Sequence, residues 1–313
     1  MYKWNVGDEI TASRLKQTGV RFGGDGSDGV LSISSGTVTF DLGGATAFVK
    51  NYKSISITGT GQLAFSNPHN NGTIIILKSQ GDVVITSTAN PAIQLSALGG
   101  IGGNPGGPSS SGSTNTFYAN SPGGGWFNSG GYLAFGLSGQ SDYHEFGGGG
   151  GGNLNNGTSG GSYAYTQSGS LNWAIKLVGG FALPKLVSKT QYLVFPGGGG
   201  SGGLCCGYYA VTAYAGGRGG GALVIECGGA LNFTGTINAS GVNGDGPTNS
   251  SYGQVGGGGG AGGSVLILYN TLTANTGTIN VAGGAGGSAG NGAYGVAGGA
   301  GSVGQSLVES FYD

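Results

Sequence analysis

The sequence predicts an all-β protein, with β-solenoid-like strand repeats, packed glycine helices and almost no α-helix. Three observations predict it. Apolar, β-branched residues recur with a period of two across the first hundred residues. A tandem repeat of strand-like segments lies near the C-terminus. Long glycine runs stand between apolar strands rather than in a separate tail.

The first observation covers VLSISSGTVTFDL, SISITGTGQLAF and GTIIILKSQGDVVITST, each punctuated by Gly, Asn or Ser turns. Alternation of this kind marks strands with one buried face. The single helix candidate is short, from Thr11 to Gln17, with Thr11 as its cap. The second observation is an offset of 42 residues between GGRGGGALVIECGGALNFTGTINASG (216–241) and GGGAGGSVLILYNTLTANTGTINVAG (258–283). Gly221 matches Gly263, Ile225 matches Ile267, Gly235 matches Gly277 and Ile237 matches Ile279. GTIIILKSQGDVVIT, from Gly72 to Thr86, is a shorter echo. Repeats of this size predict stacked units, each burying a face on its neighbour.

Composition changes at Gly99. Residues 1–98 hold 13 of the 77 glycines, and 64 fall in the remaining 215 residues. Chains that stay unfolded combine low hydrophobicity with high net charge. This one is 37% hydrophobic and only 7% charged, with a net charge of -1, so an ordered chain is expected. Ordering glycine costs more backbone entropy than ordering any other residue. An ordered glycine run must therefore be held by many hydrogen bonds. An extended threefold helix makes none internally, so its N–H and C=O groups require neighbours on all sides. Without side chains, several such runs can approach closely enough to supply one another. Gly149, Gly199, Gly219, Gly258 and Gly260 are the expected lattice positions. A parallel β-solenoid with glycine-lined corners is the alternative arrangement.

The chemistry expected of an enzyme is missing from the pattern. His69 and His144 have no partner at metal-ligand spacing, and Asp142, His144 and Glu145 lack a matching nucleophile. No GxSxG elbow or GK[ST] phosphate loop occurs. GGDGSDGVL (23–31) fits one calcium-binding nonapeptide, but that motif needs tandem copies; a tight turn with Asp25 and Asp28 capping backbone N–H groups is the expected reading. Cys205, Cys206 and Cys227 make an odd count, consistent either with one bridge to Cys227 or with three buried thiols. Sequons at Asn71, Asn156, Asn232, Asn238 and Asn249 are expected by chance in so polar a chain. No enzymatic activity, cofactor or metal is expected. Sparse basic residues disfavour nucleic acid, and no apolar run is long enough to insert in a membrane. No segment reads as a signal peptide.

The aromatic loops between glycine runs are the candidate binding residues: Trp126, Phe127, Tyr132, Tyr143, Tyr163, Tyr165, Trp173, Tyr208, Tyr209, Tyr214, Tyr252 and Tyr294. Tyr and Trp give large contact area at low entropic cost, while Ser, Gly and Asn give adaptable hydrogen bonds. Part of this set is expected to cover the glycine core instead.

Glycine runs such as GGGGGAGG alternating with aromatic loops resemble the tip adhesins of T-even-type phage tail fibres, over residues 99–301. In those adhesins the glycine segments pack as a polyglycine II lattice and the loops touch the host receptor. GDEITASRLKQTG resembles a short segment near the start of many phage tail proteins. Residues 20–98 depart from the adhesin pattern by placing strands ahead of the glycine region. Glycine-rich surface proteins from metagenomes of bacteria with reduced genomes are also similar. Composition and strand texture divide the chain into a β-strand domain (21–98) and a glycine-rich repeat domain with aromatic loops (99–313), and the resemblance implies an attachment segment (1–20). It further implies a location in the virion tail fibre or outside the cell; a virion protein needs no leader, because lysis releases it. The implied partner is a host surface protein or glycan, bound by a homo-oligomer or by a chain attached to an oligomeric fibre. A self-assembling subunit of an extracellular filament or coat, whose partners are other copies of itself, is the alternative.

Overall fold

The computed structural model describes residues 22–104, 143–146, 150–153, 156–160, 162–165, 194–206, 213–247, 254–290 and 295–311, with 143–146, 162–165 and 204–206 as backbone alone. The expected helix at Thr11–Gln17 lies outside these residues. The described chain is all-β with no helix, and its strands run parallel in two main sheets.

Consecutive strands form stacked rungs. The first rung is β1 (Val30–Ile33), β2 (Thr37–Asp41) and β3 (Ala47–Tyr52). The second is β4 (Ser54–Ile57), β5 (Gln62–Ser66) and β6 (Ile74–Ser79). Each strand pairs in parallel with its counterpart above: β1 with β4, β2 with β5, β3 with β6. The third rung begins with β7 (Val83–Ile85) and β8 (Ile93–Gln94) and is completed, far along the chain, by the first half of β12 (Ala222–Phe233). Strands on either side of the composition change at Gly99 thus belong to the same sheets.

β12 bends at a register irregularity between Cys227 and Ala230, and its second half pairs with β7 as the first strand of the next rung. β13 (Thr236–Asn238) and β14 (Ser264–Asn275) continue that rung, and the end of β14, β15 (Thr278–Asn280) and β16 (Gln305–Ser310) form the last. The 42-residue repeat is this stacking. Ala222 pairs with Ser264, Ile225 with Ile267 and Ile237 with Ile279, all at the repeat offset. The echo at Gly72–Thr86 is the neighbour on the other side, with Ile74 against Ala222 and Val83 against Leu231.

Parallel pairing in register puts like residues in columns. Leu63, Ile93 and Ile237 stack from one sheet, and Leu77, Ile225 and Ile267 from the other, into a single apolar core. The outer face of β6, β12, β14 and β16 is also covered: Ala222, Leu266 and Leu268 are buried with Val194, and Phe22, Ile74, Val224 and Leu307 pack against them. A sheet covered on both faces reads as a continuous apolar run instead of an alternating one. That explains SVLIL in β14, where all five residues are buried.

The turn ahead of β1 matches its sequence reading. Asp25 accepts a hydrogen bond from Ser27 N at 3.0 Å, and Asp28 accepts from Asn51 N at 2.6 Å and from Lys50 Nζ at 2.8 Å. No group of three or more potential metal ligands occurs among the described residues.

Cys227 is a free, buried thiol on β12. Burial, above all, pushes its pKa up from the ordinary 9.0 to about 11. The folded state therefore holds the proton more tightly than the unfolded chain, and the resulting loss of stability sets in as pH rises from 9 toward 11. Tyr52, pushed up to about 12 chiefly by burial, acts in the same direction above pH 10. Denaturant titrations at pH 8 and pH 10.5 should show the wild type losing more stability than Cys227→Ala. Peptide mapping at pH 8 should find Cys227 unmodified by a thiol reagent until the protein is unfolded.

Candidate functional site

The longest excursions leave the strand stack at one position, between the second and third strands of a rung. They follow β8, β13 and β15 and return as β12, β14 and β16. Each leaves and returns through glycine-rich segments: 99–104 and 213–221, then 239–247 and 254–263, then 281–290 and 295–304. Segments 150–153, 156–160 and 194–203, from within the first excursion, join the same bundle.

The bundle is held by backbone hydrogen bonds. In the segment 254–263, Gly256, Gly259 and Gly262 donate to Val296, Gly299 and Ser302. Gly257, Gly260 and Gly263 donate to Asp245, Val242 and Ala239, while Gly258 and Ala261 donate to Ser201 and Gly198. The donor's neighbour changes at each residue and returns at every third. Acceptors follow the same period: Val255, Gly258 and Ala261 receive from Tyr214, Gly217 and Gly220, and Gln254, Gly257 and Gly260 receive from Gly290, Gly287 and Gly284. Gly259 receives from Gly151 N, and Gly262 from Asn153 Nδ2. One segment is thus bonded to neighbours all round its axis.

Such closeness leaves no room for a Cβ. One at Gly199 would meet the Ile101 carbonyl, one at Gly219 the Gly197 carbonyl and one at Gly260 the Arg218 carbonyl. Positive φ is not the reason for glycine in these segments, because every described glycine with positive φ lies between Gly23 and Gly72. Of the expected lattice positions, Gly199, Gly219, Gly258 and Gly260 are buried in the bundle, and Gly149 lies outside the described residues.

Two polar residues organise the packing. Arg218, distinctive in sequence only as the last basic residue, donates Nε–H to Gly99 O at 2.9 Å and Nη2–H to His69 O at 2.8 Å; burial lowers its pKa from the ordinary value. Asn153 was not singled out by any motif. It is fully buried, its N–H donates to Ser302 Oγ at 2.7 Å, its Nδ2 donates to Gly262 O at 2.6 Å, and its Oδ1 accepts from Gln305 Nε2 at 3.2 Å. It locks segment 150–153 to the starts of β14 and β16. Its only signal in the sequence is its place directly after the six-glycine run.

The two ends of the bundle differ. At the strand end, Gly221 bonds to Leu95, Gly263 to Ala239 and Gly304 to Val281. At the far end, Val255 bridges Ala213 and Val296, and these three form a small apolar cluster. Tyr214 lies there, half-buried, with its N–H on Val255 O and its carbonyl accepting from Gly203. A third, antiparallel sheet follows the outer ends of the first-excursion segments: β9 (Tyr143–Phe146) pairs with β10 (Ser162–Tyr165) and β11 (Leu204–Cys206). Tyr143 is opposite Tyr165, and Tyr163 is opposite Glu145, which is opposite Cys205. The two-residue period of strands places Tyr143, Tyr163, Tyr165 and Glu145 on one face of this sheet.

Of the candidate aromatics, Tyr143, Tyr163, Tyr165 and Tyr214 are thus brought to the far end. Trp126, Phe127, Tyr132, Trp173, Tyr208, Tyr209, Tyr252 and Tyr294 lie outside the described residues. The stretches that hold the last four join the described chain at that end, between Cys206 and Ala213, Pro247 and Gln254, and Gly290 and Gly295. Comparison of the chain with protein-family models, curated proteins and solved structures finds no match.

Close packing and backbone strain separate two kinds of glycine. Gly260→Ala should cost about 3 kcal/mol or more, at the upper end of overpacking effects, since the obstacle is the Arg218–Gly219 backbone and not a flexible side chain. Gly36→Ala, with φ of 67° and nothing within 4 Å of the new Cβ, should cost about 1–2 kcal/mol from backbone strain alone. Chemical denaturation of the two variants measures the contrast; equal losses would remove the argument for close packing.

Proposed function

We propose that this chain is a non-enzymatic adhesive surface protein, a phage tail-fibre or tail adhesin that binds a host surface receptor. In this reading the strand stack is a β-solenoid, and the glycine segments form a polyglycine II lattice growing from one of its corners. The threefold alternation of hydrogen-bond partners around 254–263 supports the lattice, and the parallel columns of like residues support the solenoid. The observation that carries the functional reading is the shared end of the bundle. Segments from separate excursions reach it together, and aromatic-rich stretches begin and end there. A rigid bundle that gathers short aromatic stretches at one end suits recognition, because the ordering cost is met before the receptor arrives.

The receptor is a host surface protein or glycan. The face shared by Tyr143, Tyr163, Tyr165 and Glu145 has groups for either: ring faces for stacking on sugar or side chain, and a carboxylate to accept hydrogen bonds. An extracellular filament or coat subunit is the second reading, favoured by the exposed Val38 on β2, which ends one sheet, and the exposed Leu272 on the second half of β14, whose described strand partner is β12 alone.

Binding of the labelled protein to a panel of bacterial cells tests the proposal. Saturable binding to some strains is expected, and the triple variant Tyr143→Ala, Tyr163→Ala, Tyr165→Ala should bind at least tenfold more weakly with an unchanged melting temperature. Regular filaments in negative-stain images, with no cell binding, would instead establish the polymer subunit.

A further inference from the structure

Two glycine segments at the surface of the bundle, 281–290 and 295–304, follow one rule along their length. In 281–290, a Cβ at Gly283 or Gly286 would meet the carbonyls of Gly301 and Gly298, and one at Gly284 or Gly287 those of Val242 and Asp245. In 295–304, a Cβ at Gly298 or Gly301 would meet the carbonyls of Gly257 and Gly260, and one at Gly299 that of Thr158. Two of the three directions around each segment are therefore closed by neighbouring backbone. The third carries Ala282, Ala285 and Ser288 in one segment and Ala297, Ala300 and Val303 in the other, and all six are exposed. The three-residue period of an extended threefold helix puts each set on one line along its segment.

That outer surface still has backbone bonds to offer. Neither the N–H nor the C=O of Gly283 and Gly286 has a hydrogen-bond partner among the described residues, and the same holds for the Gly298 and Gly301 carbonyls. The N–H groups of Ala282 and Ala285 are instead capped, by the side-chain carbonyls of Asn280 and Asn243. At sheet edges, rows of unpaired donors and acceptors are templates for another chain, and charged side chains are one common protection. Here no Asp, Glu, Lys or Arg lies between Asp245 and Glu309. Charge does not guard this surface.

We propose that the exposed side chains at every third residue bar the bundle from fusing with the glycine segments of a second copy. Inside the bundle, bonded segments lie so close that a carbonyl stands where a Cβ would be. A methyl group in that place holds an approaching backbone carbon at about 3.5–4.0 Å. Backbone N–H···O bonds of about 2.9 Å cannot then form along the row. The side chains act as spacers and leave the inward glycines undisturbed. Solubility does not account for the choice, because five of the six residues are Ala or Val. The inference rests on the lattice reading of the bundle, which the Gly260→Ala comparison tests separately, and not on the adhesive role.

Sedimentation velocity of full-length variants over a concentration series tests the proposal. The triple variant Ala297→Gly, Ala300→Gly, Val303→Gly should have at least twice the wild-type mass at the same concentration. The triple variant Ala282→Gly, Ala285→Gly, Ser288→Gly should do likewise, and the two are read independently, so that one which fails to fold leaves the other decisive. Ser32→Gly, Ala45→Gly, Ala47→Gly, a control at exposed sites of the strand stack, should keep the wild-type mass. A folded lattice variant of wild-type mass would overturn the proposal. Equal association of the control would also overturn it, by assigning the effect to lost stability. Dissociation of a wild-type oligomer by Ala300→Arg would do the same, because this surface would then already be an interface.

Discussion

Hydrogen bonding between backbones that carry no side chains is the constraint on which the rest of the structure depends. An extended glycine segment has a donor and an acceptor at every residue and nothing of its own to satisfy them. In the bundle each group is met by a different neighbour, so the segments hold their positions only together. Backbone carbonyls stand where a Cβ would be at Gly199, Gly219 and Gly260, which is why the composition is so extreme. The apolar effect, dominant in most domains, acts among the described residues within the strand stack, on its outer face around Val194, and at the small patch of Val255, Val296 and Ala213.

The strand stack sets the spacing that the bundle inherits. Because Ala222 and Ser264 are paired, the glycine segments that end at Gly221 and Gly263 start out side by side. The 42-residue repeat keeps strand register and segment register in step: Asn280 Nδ2 bonds to Asn238 Oδ1, and Ala285 N to Asn243 Oδ1, at that same offset. Asn153 and Arg218 then tie segments from the long first excursion to this frame.

Much of the fold was legible in the sequence. The period-two segments from Val30 to Ile85 are strands, and the tandem repeat is a pair of neighbours in parallel register. Local pattern could not show that β12 completes a rung begun by β7 and β8, because 127 intervening residues separate Gln94 from Ala222. Nor could it show that one strand, β12, bends to serve two rungs; its only trace is the Gly228–Gly229 pair within an otherwise apolar run. Of the candidate aromatics, Tyr143, Tyr163 and Tyr165 share a face of the antiparallel sheet, which local pattern could not show because the strand pairing sets it. Asn153 and Arg218 were not legible, because a polar residue that satisfies buried carbonyls looks in sequence like any loop residue.

The shared departure point of the long excursions has an evolutionary consequence. A corner that accepts an insertion as long as the one between β8 and β12, and one as short as that between β15 and β16, leaves the strand pairing intact in both cases. Length and content of the excursions can therefore drift while the rungs stay in register, provided that new material returns to the bundle through glycine. Such a chain can change what it presents without redesigning what holds it up.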